Sequence, residues 1–249
     1  MPGPLSCNQF VGPENFTMHT SLRIDLNEKL YLRDPQDTDL GRRLVAESVL
    51  LIDEIGFEHF TFKKLAQRID STEASLYRYF ENKHKLLVYL VSWHWAWLRY
   101  QIRFHTHNVP DPCERLRLIM GIIIQANQDD PATTQLDEAA LYRIVVHEAS
   151  KAYLTRDVDG DNREGLFREY KQLAAGIVAV VQEINPAYAF PQALVSTLLE
   201  SARKQLFFAQ HLPSLTDAVP GGGAENTLQT FLTQLAFATL AQASGTIPD

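Results

Sequence analysis

The stretch STEASLYRYFENKHKLL, residues 71–87, decides how this chain is read. Leu76 and Phe80 stand four residues apart, so on a helix they share one face and can enter a core. Glu73, Ala74, Tyr77 and Arg78 fall outside that face. A fresh start signal, Asn82-Lys83, follows almost at once, so the helix is short. Two apolar anchors therefore hold it inward while a small, an aromatic and a cationic side chain are offered outward.

Working back from this stretch, the period is helical from Thr38 onward. Thr38 or Asp39 caps a helix running through Leu44, Val45, Val49, Ile52 and Ile55. Gly56 supplies a left-handed stop, with Phe57 as its apolar clasp. Thr61 caps a second helix in which Phe62, Leu65, Ala66 and Ile69 follow the i, i+3, i+4, i+7 rule. Asp70-Ser71-Thr72 breaks it. Asn82 then opens a fourth helix expected to reach about His107. Two short helices joined by a three-residue turn and braced by a preceding helix make a helix-turn-helix unit. In such a unit the second helix presents one face to the DNA major groove. Ala66 suits this arrangement, because a small side chain lets two helices cross closely.

The residue order carries more than a generic unit. The run GFEHFTFKKLAQRIDSTEASLYRYFENKHKLL, residues 56–87, resembles the DNA-binding head of TetR-family (TetR/AcrR-like) transcriptional regulators. The likeness covers about residues 40–90: a Gly, a Thr, Leu-Ala-x-Arg, a Ser/Thr-rich turn, Leu-Tyr-x-x-Phe, then Asn-Lys-x-x-Leu-Leu. The resemblance implies that Ser75, Tyr77 and Lys83 contact DNA phosphates, with Lys83 at a helix start that itself favours an anion. It implies that Glu73, Ala74, Arg78 and Tyr79 face the groove, where Arg78 can fork onto a guanine. Arg42 and Arg43 are expected at the flanking backbone. Thr61 and Thr72, at the two helix starts, complete the DNA-binding set. Three positions depart from the family pattern. Asp70 stands where Gly is usual, and Asp tolerates a left-handed turn. Ser71 replaces an apolar turn residue. Glu73 replaces a frequent Lys and brings a carboxylate near phosphates, or near a cytosine amino group.

Charge bears on the strength of such binding. Between residues 39 and 85, eight lysines and arginines face eight aspartates and glutamates, so this head is neutral and the rest carries the net −7. Counterion release dominates DNA affinity. Binding is therefore expected to be modest, salt-sensitive and dependent on two heads acting together.

The remainder reads as helices at about 112–128, 134–154, 162–184, 191–211 and 224–243, separated by Pro- and Gly-bearing segments. The fourth helix carries Tyr89, Trp93, Trp97, Tyr100 and Phe104 as one aromatic stripe. Core packing explains such a stripe; so does the wall of a ligand cavity, with Trp or His at 93, 94 and 97. Helix 191–211 shows Leu194, Leu198, Ala202, Leu206 and Ala209. Helix 224–243 shows Leu228, Phe231, Leu232, Leu235 and Leu240, with no charged residue from 226 to 248. A charge-free surface helix fits burial between subunits. The family resemblance implies a four-helix bundle made by this pair from each of two chains.

Other features exclude other functions. With 45% apolar and 21% charged residues the chain has the composition of a globular protein. Cys7 and Cys113 form neither a disulfide framework nor a metal spacing, and a reducing cytoplasm is the expectation. The charge-free stretch is too rich in Thr and Gln to span a membrane. His105-x-His107 reads as surface. Asp157–Asp161 lacks the glycine position and bidentate Glu of a calcium loop, and Glu138, His147 and Glu148 have no nucleophile beside them. No catalytic set, metal or cofactor is expected. Residues 1–37 read as a partly disordered extension in which Met18 offers an alternative start, and the alternation LRIDLNEKLYLR at 22–33 permits a short β-hairpin.

The reading is thus an all-α protein in three parts. These are an extension at 1–37, a helix-turn-helix head at 38–85, and a ligand-binding and dimerisation body at 86–249. Its expected partners are double-stranded operator DNA, a second copy of itself and a small-molecule effector. The alternative is the same fold acting through protein partners without DNA.

Overall fold

The computed structural model describes residues 23–126, 136–218 and 223–241. The N-terminal stretch through residue 22, with Cys7 and Met18, lies outside the described residues. So do the expected helix limits near 128, 134 and 243. The described chain is all-helical. Its elements are α1 (Asp39–Ile55), α2 (Phe62–Arg68), α3 (Glu73–Leu76), α4 (Lys83–Thr106), α5 (Pro112–Ile124) and α6 (Glu138–Glu148). They continue as α7 (Ser150–Tyr153), α8 (Val158–Arg163), α9 (Arg168–Ile184), α10 (Pro191–His211) and α11 (Ala224–Ala241).

Side-chain caps start the helices where the sequence offers them. Thr38, Thr61, Thr72 and Asn82 each accept a backbone N–H three residues on, satisfying donors that a helix start leaves open. α4 is the pillar. From Leu86 to Leu98 every residue is buried, because α5, α6 and α9 pack around it while its first turn belongs to the head. α11 lies on α5 and α10 through Leu228, Leu232, Ala236 and Leu240.

Three expectations are corrected. No hairpin forms over the described residues 23–33; Glu28–Leu30 is instead a 3-10 turn. Gln36 takes the place of a partner strand for Ile24. Its Oε1 accepts the Ile24 N–H at 3.2 Å and its Nε2 donates to the Ile24 carbonyl at 2.8 Å. Ile24, Leu26 and Leu30 are buried, so the segment is a strap across the head. Gly41 permits its close approach, since a Cβ there would stand 2.3 Å from the Pro35 carbonyl oxygen. The helix expected at 134–154 is two, α6 and α7. The helix expected at 162–184 is also interrupted, because Gly165 takes a φ of 77° between α8 and α9. The stretch Asp157–Asp161 runs into α8, where buried Asp161 faces His84 Nε2 at 3.4 Å and Lys85 Nζ at 3.8 Å.

Candidate nucleic-acid interface

α2 and α3 meet through a turn that depends on one backbone conformation. Asp70 has φ 49°, alone among the described non-glycine residues, and carries out the left-handed step usual for Gly. Ser71 N–H then closes onto the Ala66 carbonyl at 2.9 Å. α3 is a single turn held by Leu76 and Phe80, both fully buried. Thr72 accepts the Ser75 N–H at 3.2 Å and pairs with the Ser75 hydroxyl at 2.8 Å, so both side chains brace the helix start.

Outside this anchor, Thr72, Glu73, Ala74, Tyr77 and Arg78 are exposed and Ser75 is half-buried. The Tyr77 ring meets the Phe62 ring edge-on at 4.9 Å, which fixes its direction while leaving it 46% exposed. Thr61 caps α2 through Lys64 N–H at 3.2 Å. Arg78 has no hydrogen bond or ion pair among the described residues. It is the long free cation of this face.

Several expected site residues turn elsewhere. Tyr79 does not face outward: it is 3% exposed and its hydroxyl pairs with Thr38 Oγ1 at 2.7 Å. The cause is local. After α3 the chain tightens, with Tyr79 N–H bonded to the Leu76 carbonyl at 2.9 Å. Residues i and i+3 eclipse in such a turn, so Tyr79 follows Leu76 into the core. Lys83 has partners other than a phosphate. Its ammonium lies 3.1 to 3.3 Å from the carbonyls of Phe57, Glu58 and Phe60 and 4.7 Å from the Phe57 ring centre. Three donors meet three acceptors, clamping the turn between α1 and α2. Arg43 donates to the Ile69 carbonyl. Arg42 donates to the Gln36 carbonyl at 2.6 Å and pairs with Asp39.

A residue the sequence reading missed packs on Tyr79. Exposed Arg33, on the strap, sits 5.7 Å above the Tyr79 ring, and the strap is tied there by Leu32 N–H to the Tyr79 carbonyl at 2.8 Å. No local pattern announces a contact across this many residues.

The aromatic stripe on α4 divides. Tyr89, Trp93 and Trp97 are buried, whereas Tyr100 and Phe104 are exposed and stack onward from Trp97. Beside the stripe lies a buried polar group: His94 on α4 packs on Trp95 and on Tyr142 of α6. Burial pushes the His94 imidazole down to about 3, aided by the charge of Arg203, so it is neutral at ordinary pH. Arg203 of α10 donates to the Val145 carbonyl at 3.2 Å and the Tyr153 hydroxyl at 2.8 Å, and pairs with Glu200. Trp95 Nε1 and the Tyr142 hydroxyl are buried with no partner among the described residues.

Comparison with known proteins accords with this geometry. The model of bacterial regulatory proteins of the tetR family matches residues 44–90. The HTH-type transcriptional repressor KstR of Rhodococcus jostii (strain RHA1) is 31% identical over 96 residues, or 38% of this chain; the match spans 43% of that relative's length. A crystal structure of AibR in complex with isovaleryl coenzyme A and operator DNA superposes with a TM-score of 0.55 at 16% identity, covering 78% of this chain and 97% of that one. The ketosteroid transcriptional regulator KstR2 of Mycobacterium tuberculosis gives 0.52 at 18% identity, covering 84% and 97%. At such identities the structural likeness is one of fold. A head matched in sequence over residues 44–90, on a chain alike in fold to these solved structures, supports a regulator of the tetR family of bacterial regulatory proteins.

Proposed function

We propose that this DNA-binding regulator is a repressor that acts as a homodimer on a palindromic operator and is released by a small-molecule effector bound in its body. The observation that carries this reading is the outward face of Glu73, Ala74, Tyr77 and Arg78, on α3 and the turn after it, anchored by the fully buried Leu76 and Phe80. Such a face costs the fold nothing to expose and is free to read base edges. The repressor relative and the operator complex of AibR support the DNA partner. The isovaleryl coenzyme A in that complex supports an effector site.

A dimer is called for by the head's neutrality, because one neutral head offers few phosphate contacts. α11 supplies a surface for it. Its described residues from 226 to 241 carry no charge, and Phe231 is 47% exposed beside the buried Leu228 and Leu232. Phe231→Asp tests the reading, because an exposed position tolerates a carboxylate in the monomer but not within an apolar interface. Sedimentation should show a wild-type dimer and a folded monomeric variant that has lost operator binding. A monomeric wild type, or a variant still dimeric and fully active, contradicts the proposal.

A further inference from the structure

α4, α5 and α9 enclose a cleft of about 430 Å³ on the flank of the body, a size suited to a small organic molecule. Its walls include Ile102, Ile119, Ile177 and Val180, which are buried and apolar. Arg99 and Arg103 of α4 and Arg115 of α5 line it as well, against one lining acid, Glu183. Residues outside the head account for the chain's net −7. Three arginines around one apolar trough therefore reverse the charge of the surrounding body.

The arginines differ in how they are engaged. Arg99 crosses to Glu169 at 2.8 Å and to Gln172, both on α9. Arg115 crosses to Glu183, with one contact at 3.2 Å. Arg103 is exposed and has no partner among the described residues, and Arg115 Nε is buried with no acceptor. Donors are thus left over inside the cleft.

A second observation is independent of charge. Gly176 lies in the middle of α9, where glycine weakens a helix relative to alanine. A Cβ built on it would meet nothing within 4 Å, so no neighbour requires glycine there. Gly176 lines the cleft, and its missing side chain keeps the trough open.

We infer that this cleft binds an amphipathic organic anion, an apolar chain ending in a carboxylate or phosphate. The chain would lie along Ile102, Ile177 and Val180, and the anion would take forked hydrogen bonds from Arg103 and Arg115. An anion there competes with Glu183 and Glu169 for the arginines that tie α4 and α5 to α9. Because α4 begins inside the head, loosening those ties reaches the operator-facing unit. This last step rests on the ligand-released reading above.

The test uses the full chain and three probes by calorimetry: decanoate, decyl phosphate and decanol, each below its aggregation limit. Decanoate or decyl phosphate should bind at least tenfold more tightly than decanol. The preferred one identifies the headgroup. Gly176→Trp, which fills the trough, and Arg103→Glu, which reverses its free charge, should each weaken the preferred probe at least tenfold. Both are measured on protein whose melting temperature matches the wild type; if Gly176→Trp melts lower, Arg103→Glu decides. Equal affinity for decanol and both anions, or wild-type affinity in Arg103→Glu, overturns the site. An operator titration with the preferred probe separates the two claims. Binding blocked by the variants while operator affinity stays constant upholds the anion site and refutes release through it.

Discussion

Asp53 on α1 and Arg143 on α6 form a two-pronged ion pair, Nε to Oδ1 at 2.9 Å and Nη2 to Oδ2 at 2.7 Å. Nearby, Glu148 of α6 accepts the Phe57 N–H at 3.2 Å, and Lys151 of α7 holds Glu58 at 2.6 Å. The end of α1 and the turn after it are thus tied at three points to one side of the body. α6 also carries Tyr142 against His94, so a shift of α6 inside the body must pull on α1.

The first prediction follows from the exposure of that pair. With side chains 26% and 48% exposed, it should contribute no more than about 1 kcal/mol. Arg143→Ala should lower the melting temperature by less than about 4 °C. Operator affinity in a double-mutant cycle of Asp53→Arg and Arg143→Asp should show coupling, with the reversed pair recovering part of what each single change loses. Purely additive effects would mean the pair does not connect body and head.

Lys83 separates a clamp from a phosphate ligand. Lys83→Ala leaves three carbonyls of the α1–α2 turn without their shared cation and should cost about 1–3 kcal/mol in urea unfolding. The salt dependence of operator binding should keep its slope. A phosphate ligand would give the reverse, near-normal stability with a slope flattened by about one.

Arg78 is the opposite case. Exposed and unpaired among the described residues, it can be removed without disturbing the core. Arg78→Ala should leave the melting temperature within about 1 °C, since surface changes away from structural features are nearly neutral. It should weaken operator binding by about 1–3 kcal/mol, relaxing preference at one base pair of each half-site. Uniform weakening across all sequences would instead make Arg78 a backbone contact.

His94 predicts a pH dependence of stability. Burial lowers its folded-state pKa from 6.5 to about 3, so between these values the unfolded chain binds the extra proton. Stability from this group is complete above the unfolded pKa and declines as pH falls from about 6.5 toward 3. Near the middle of that window the slope approaches 1.4 kcal/mol per pH unit, so moving from pH 7 to pH 5 should cost about 2 kcal/mol. His94→Gln should remove this part of the slope in chemical unfolding at the two pH values. An unchanged slope would show that His94 is not buried neutral.

Much of the head was legible because its rules are local. The four-residue spacing of Leu76 and Phe80, the caps Thr38, Thr61, Thr72 and Asn82, and the tolerance of Asp70 for a left-handed turn each act within a few residues. Tyr79 was misread because α3 ends in a tightened turn, and a period of 3.6 stops applying there. The alternation at 22–33 suggested a hairpin because it does mark Ile24 and Leu26 for burial. The backbone partner of Ile24, however, is a side chain twelve residues away and not a neighbouring strand. The head-to-body ties and the arginine cleft join residues some seventy or more positions apart, a relation that no sequence window contains.

Selection of genomic DNA fragments by the purified protein, followed by footprinting, tests the central claim most directly. Wild-type protein should enrich fragments holding an inverted repeat, with half-site centres about one helical turn (~10 base pairs) or a small multiple apart. Ala74→Glu, a carboxylate set on the exposed face of α3, should abolish that enrichment while the protein stays folded. No enrichment over random fragments by the wild type, or enrichment that survives Ala74→Glu, would contradict the account.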